Sequence, residues 1–96
     1  MIKNIKITYL KKAAKFLSKN KNSIKESEVD ELVIKTIKKK LFHIDTNIDF
    51  KDLKGNLKNK VRIRKGNIRI IIEIVENEII IESIIENIDF RGNIYN

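Results

Sequence analysis

VRIRKGNIRIIIEIVENEIIIESIIENIDFRGNIY, residues 61–95, decides how the chain folds. Val61 and Ile63 alternate with Lys60, Arg62 and Arg64. Ile68, Ile70, Ile72 and Ile74 alternate with Arg69, Ile71, Glu73 and Val75. Ile79, Ile81, Ser83 and Ile85 continue the pattern. β-Branched residues at period two specify strands. Gly66-Asn67 supplies the first turn, since both residues tolerate positive φ. Glu76-Asn77-Glu78 supplies the second. The stretch therefore reads as a three-stranded antiparallel meander.

Parity sorts its side chains. A two-residue loop at Lys65-Gly66 or at Gly66-Asn67 puts Lys60, Arg62, Arg64 and Arg69 on one face. The isoleucine row falls on the other, which must be covered by apolar surface. Four cations on adjacent strands repel one another, at a cost in stability that a bound anion would remove. A phosphate backbone fits that description. A solvated, lysine-rich surface fits the same pattern.

Outward from the meander, the chain is short and basic. Its 96 residues suffice for one domain, spanning residues 1–96, with a single core. Hydrophobic residues make up 42% and charged residues 35%, as in soluble globular proteins. No apolar run approaches the ~20 residues of a membrane span, and the first residues lack the apolar h-region of a signal peptide, so a cytoplasmic location is expected. Cysteine is absent, which removes disulfides, thiolate nucleophiles and zinc–thiolate sites. The net charge of +8 is segregated: residues 51–69 hold eight Lys or Arg and one acid, whereas residues 72–90 hold six acids and no base. A basic pole suited to nucleic acid and an acidic pole suited to orienting a protein partner are expected.

Upstream, residues 2–7 read as a short strand with Ile5 and Ile7 on one side. Thr8 is placed to cap a first helix, in which Leu10, Ala13, Ala14 and Leu17 fall at helical spacing and which ends near Asn20. Ser23-Ile24-Lys25-Glu26 has the form of a capping box. It opens a second helix to about Leu41, with Val29, Leu32, Val33, Thr36 and Ile37 as its buried stripe. Lys38, Lys39 and Lys40 sit where the helix dipole favours cations. Residues 42–59 read as a connector anchored by Phe50 and Leu53. The fold class is α+β: a two-layer domain in which an N-terminal strand and a two-helix hairpin pack on an antiparallel sheet, in the order β-α-α-β-β-β.

The inventory limits the chemistry. There is no GxxxxGK[ST] loop and no GxGxxG. His43 is the single histidine and has no orienting partner in sequence; it reads as a helix-end or solvent-facing residue. Glu82 and Glu86 lie four apart on a strand and read as solvated, pair-forming carboxylates rather than metal ligands, so neither metal nor cofactor is expected. What remains is Lys, Arg and Tyr. Such a set can cleave RNA, because the nucleophile is the substrate's own 2′-hydroxyl. The protein then has to align that hydroxyl and stabilise charge on phosphorus. Arginine bridges phosphate oxygens, and tyrosine stacks on a base. A lysine within a cation cluster has a lowered pKa and can remove a proton or simply hold charge.

The element order, the DLKGN entry, RIRKGNIRIIIEI and the closing IDFRGNIY together resemble the RelE/ParE superfamily of toxins from type II toxin–antitoxin modules. The most specific part is R-x-R-x-G-x-x-R, followed by R-G-x-I-Y, and the resemblance spans nearly the whole chain. It favours the RelE-like branch, which acts on translating ribosomes and cuts mRNA in the A site. On that resemblance the catalytic residues are Lys60, as base or proton shuttle, Arg62 on the phosphate backbone, Arg69 at the transition state, the late Arg91, and Tyr95 on the mRNA base or 2′-hydroxyl. Lys54, Lys58, Arg64 and Lys65 are the accompanying nucleic-acid contacts. The sequence departs from the family at Asp89, where one branch carries a basic residue, and at Phe90, where a histidine is frequent.

The resemblance also implies a cognate antitoxin, held in a toxin–antitoxin hetero-oligomer by an extended segment and an amphipathic helix. Ribosome and mRNA are the implied targets. The alternatives are a ParE-like toxin that binds DNA gyrase without cleaving RNA, and an inactive nucleic-acid-binding relative.

Overall fold

In the computed structural model, which describes residues 4–53, 59–76 and 80–90, seven elements form two layers. They are β1 (Asn4–Tyr9), α1 (Lys11–Lys19), α2 (Glu26–Leu41), β2 (Asp49–Asp52), β3 (Lys60–Lys65), β4 (Ile68–Glu76) and β5 (Ile80–Phe90). The strands form one sheet in the order β1-β5-β4-β3-β2. The α+β class and the meander β3-β4-β5 follow the sequence reading. Two features correct it. β1 pairs with β5 in parallel, so the sheet is mixed rather than antiparallel. Residues 49–52 form an edge strand on β3 inside what reads as a connector.

The isoleucine row forms the core as its alternation requires. Val61, Ile63, Ile70, Ile72, Ile81 and Ile85 are fully buried, together with Val29, Val33 and Ile37 of α2. The α2 stripe is the one its spacing predicts. α1 packs on β5 and α2 on β3, so both helices cover the same side of the sheet. The face of α1 is rotated from the expected one. Ala13 is buried and Phe16 and Leu17 pack on the core, while Leu10 and Ala14 are exposed. Phe16 meets Phe90 edge-on, with ring centroids 5.3 Å apart.

Helix starts are also displaced. Thr8 lies within β1, and Leu10 precedes α1 without a side-chain cap. α2 begins at Glu26 rather than after Ser23, and the Glu28 carboxylate accepts from the Lys25 backbone N–H at 3.2 Å. At the other end His43 is exposed and takes φ 57, in the left-handed region that turns the chain out of α2. In the β3–β4 hairpin only Gly66 of the two loop residues has positive φ (58), the pattern of a II′ turn.

One irregularity shapes the functional face. Ile71 pairs with Asn87 but Ile72 pairs with Ile85, so Glu86 is an extra residue on β5. Such a bulge reverses parity. It keeps Ile85 and Ile88 both in the core although they are three residues apart. Glu86, next after the buried Ile85, lies on the open side of the sheet, against Lys60.

Candidate nucleic-acid interface

The side of the sheet opposite the helices carries the charged residues. Register builds it in rows across four strands. Asp49, Arg64, Arg69 and Asp89 form one row, from β2 to β5. Lys51, Arg62, Ile71 and Asn87 form the next. Lys60 and Glu73 begin a third, beside Glu86. The structure therefore brings Lys60, Arg62, Arg64 and Arg69 together, as strand parity requires.

These cations are sunk into the face. Arg69 is 4% exposed, and Arg62 and Arg64 are half-buried. The Nε atoms of Arg62 and Arg64 are buried and meet no acceptor among the described residues, and Asn87 Oδ1 meets no donor there. Buried donors of this kind are strong anchors for an anion that brings its own acceptors. Guanidinium groups suit the task, because their planar donor fork matches two phosphate oxygens.

Carboxylates interleave with the cations, which alters the expected electrostatics. Lys60 Nζ lies 2.9 Å from Glu86 Oε1, both side chains being about one-quarter exposed. The hydrogen bond to Glu86 raises the Lys60 pKa, with the charges of Glu86 and Glu73 adding to the effect against partial desolvation. Lys60 is thus held as an ammonium, the reverse of the depressed pKa expected within a cation cluster. Asp89 stands opposite Arg69 in register, and its Oδ1 accepts from the Phe90 N–H at 2.8 Å. Glu73, Glu86 and Asp89 of the acidic segment stand among the cations rather than apart from them. Antiparallel pairing folds β5 back onto the basic strands.

Lys65 does not join the site. Strand parity puts it on the helix side, where its Nζ is 3.9 Å from Glu28 Oε2 of α2. His43, beyond the end of α2, is likewise not part of the charged rows. Lys54, Lys58, Arg91 and Tyr95 lie outside the described residues. The sequence reading overlooked Lys51 as a member of the face, and it gave Glu86 no partner. The Ile85–Ile88 spacing of three was the available signal for the bulge. Among the described residues no group of three metal-ligating side chains occurs, and no helix is long and apolar enough to cross a membrane.

Comparison with known proteins supplies the fold's relatives. No family model matches the chain, and no curated protein matches it significantly. Solved structures do. A copper-bound mutant toxin from Helicobacter pylori is 20% identical, with a TM-score of 0.62 over 91% of this chain and 94% of that one. The RelBE2 toxin–antitoxin complex from Mycobacterium tuberculosis gives 19% identity and a TM-score of 0.60, over 90% and 96% of the two chains. The fold is that of the RelE/ParE-type toxins. The RelB–RelE antitoxin–toxin complex from Methanococcus jannaschii has the same fold, at 22% identity and a TM-score of 0.54 over 92% and 94%. The RelE/ParE resemblance read from the sequence is thus matched at the level of fold, with the charged face on the sheet side that the helices leave open.

Proposed function

We propose that the chain is the toxin of a type II toxin–antitoxin module and cleaves mRNA in the ribosomal A site, inhibiting translation. The observation that carries this reading is the sunken cation set Lys60, Arg62, Arg64 and Arg69 on the open sheet face of a RelE/ParE fold. Arg62 and Arg64 hold the phosphates flanking the cut. Arg69 stabilises the charge that grows on the non-bridging oxygens as the 2′-oxygen attacks phosphorus. Lys60, held as an ammonium, adds a fixed positive charge. Arg91 and Tyr95 complete the set, with Tyr95 stacking on the base to align the 2′-hydroxyl. The ribosome supplies the mRNA in a fixed, extended path, which accounts for dependence on it. Lys51 joins Lys54 and Lys58 as further phosphate contacts. A cognate antitoxin silences the toxin by covering this face.

A second reading has its own support. Asp49, Glu73, Glu86 and Asp89 stand among the cations and weaken a phosphate site. That pattern suits a ParE-like toxin that binds DNA gyrase through protein contacts. A purified translation reaction separates the two. New 5′ ends inside the A-site codon, formed only with ribosomes present, support the nuclease. Intact mRNA together with inhibited supercoiling supports the gyrase reading.

A further inference from the structure

We propose that Glu86 is the general base of this site, taking the 2′-hydroxyl proton, while Lys60 is its electrostatic partner. The inference rests on the nuclease reading above and goes beyond it by assigning the proton. Three observations carry it. First, Glu86 follows the fully buried Ile85 and so lies on the cation face, beside Asn87 at the β5 bulge. Second, Glu86 touches Lys60 at 2.9 Å, on the face that also carries Arg62, Arg64 and Arg69. Third, the alternatives on the face are poorly placed. Lys60 already holds its proton on this carboxylate, and Asp89 stands beside Arg69 with an oxygen on the Phe90 N–H. Glu73 stands directly opposite Lys60 in register on β4, but the Lys60 ammonium makes its ion pair with Glu86.

Substrate switches the base on. A non-bridging phosphate oxygen competes with Glu86 for the Lys60 ammonium. As Lys60 turns to the phosphate, Oε1 is released next to the nucleotide whose 2′-hydroxyl must be deprotonated. The 2′-oxygen forms its bond to phosphorus, and its proton passes to Glu86. The bond from phosphorus to the 5′-oxygen breaks, and that oxygen takes a proton from water. Glu86 then returns its proton to the hydroxide so formed. The products are a 2′,3′-cyclic phosphate and a 5′-hydroxyl end, with no net change in the protein.

The test is single-turnover cleavage of ribosome-bound mRNA by the full chain, comparing wild type, Glu86→Gln, Lys60→Met and the double variant. Loss of a general base predicts a rate reduced about 10²–10⁴-fold in Glu86→Gln. Binding to an uncleavable 2′-deoxy mRNA on the ribosome is expected to be unchanged or tighter, since one negative charge has left the face. Glu86→Gln is expected to slow the Lys60→Met protein by at least about tenfold more, because a base acts in its own right. If the substitution has no effect in the Lys60→Met background, Glu86 acts only by positioning Lys60 and the assignment is overturned. Full cleavage by Glu86→Gln, with Arg69→Ala inactive in the same assay, overturns the Glu86 inference and leaves the nuclease reading standing. Absence of cleavage by the wild type overturns both.

Discussion

Tyr9→Phe removes one hydroxyl and tests how the helix layer is locked to the sheet. Tyr9 ends β1, and its OH donates to Asp30 Oδ1 at 2.5 Å and approaches the Glu26 carbonyl at 3.2 Å. Both acceptors lie in the first turns of α2, so the hydroxyl joins the β1 edge of the sheet to the helix that packs on β3. Phenylalanine keeps the ring and its packing. A hydrogen bond to a charged acceptor contributes about 1.5–3 kcal/mol, and this one is only partly buried, so roughly 1–2 kcal/mol is expected. For a domain of this size that lowers the melting temperature by about 4–16 °C.

The same residue gives a pH signature. Burial, then the hydrogen bond and charge of Asp30, raise the phenol pKa well above its ordinary value of 10.0. Below the ordinary value both folded and unfolded chains hold a neutral phenol, and the contribution is complete. Above about pH 10 the unfolded chain ionises first, binds fewer protons than the folded one, and stability falls. Thermal melts of wild type and Tyr9→Phe should therefore converge as pH rises past that point. An unchanged melting temperature, or two curves that stay parallel through the alkaline range, would refute the argument.

Other outcomes concern the site and the hairpin. Arg69→Ala should lower A-site cleavage by about 10²–10³-fold, the scale of losing a preorganised charge donor, with the circular dichroism spectrum retained. Tyr95→Ala should reduce cleavage more than ribosome binding, measured by co-sedimentation; equal loss of both would assign it to holding the chain end. Gly66→Ala meets no atom within 4 Å, yet its φ of 58 imposes strain. It should cost about 1–2 kcal/mol in urea unfolding and leave cleavage near wild type.

Much of the architecture was legible because isoleucine at period two is hard to read otherwise. The meander, its buried face and the α2 stripe from Val29 to Ile37 follow from spacing alone. β2 escaped because Asp49-Phe50-Lys51-Asp52 lacks β-branched residues; β3 pairing, not propensity, makes it a strand. The parallel seat of β1 beside β5 is a long-range pairing that no local pattern encodes. Parity collected Lys60, Arg62, Arg64 and Arg69 correctly. It also puts Lys65 on the opposite side, which including that residue among the phosphate contacts ignored. Segregation of charge along the chain is only partly kept in space, because pairing brings Glu73, Glu86 and Asp89 beside Lys60 and Arg69. The Lys60–Glu86 pair joins β3 to β5 across β4, a long-range contact that no local pattern encodes, and the bulge beside it leaves its trace in the three-residue step from Ile85 to Ile88.

The most direct test of the central claim is chemical. A ribosome-bound mRNA carrying a single 2′-deoxynucleotide at the cleaved position of the A-site codon is incubated with the protein, beside an all-ribose control. If the cation face cleaves RNA through the substrate's own hydroxyl, the control is cut and the deoxy substrate stays intact. Cutting of both would contradict the account, because another nucleophile would then be at work.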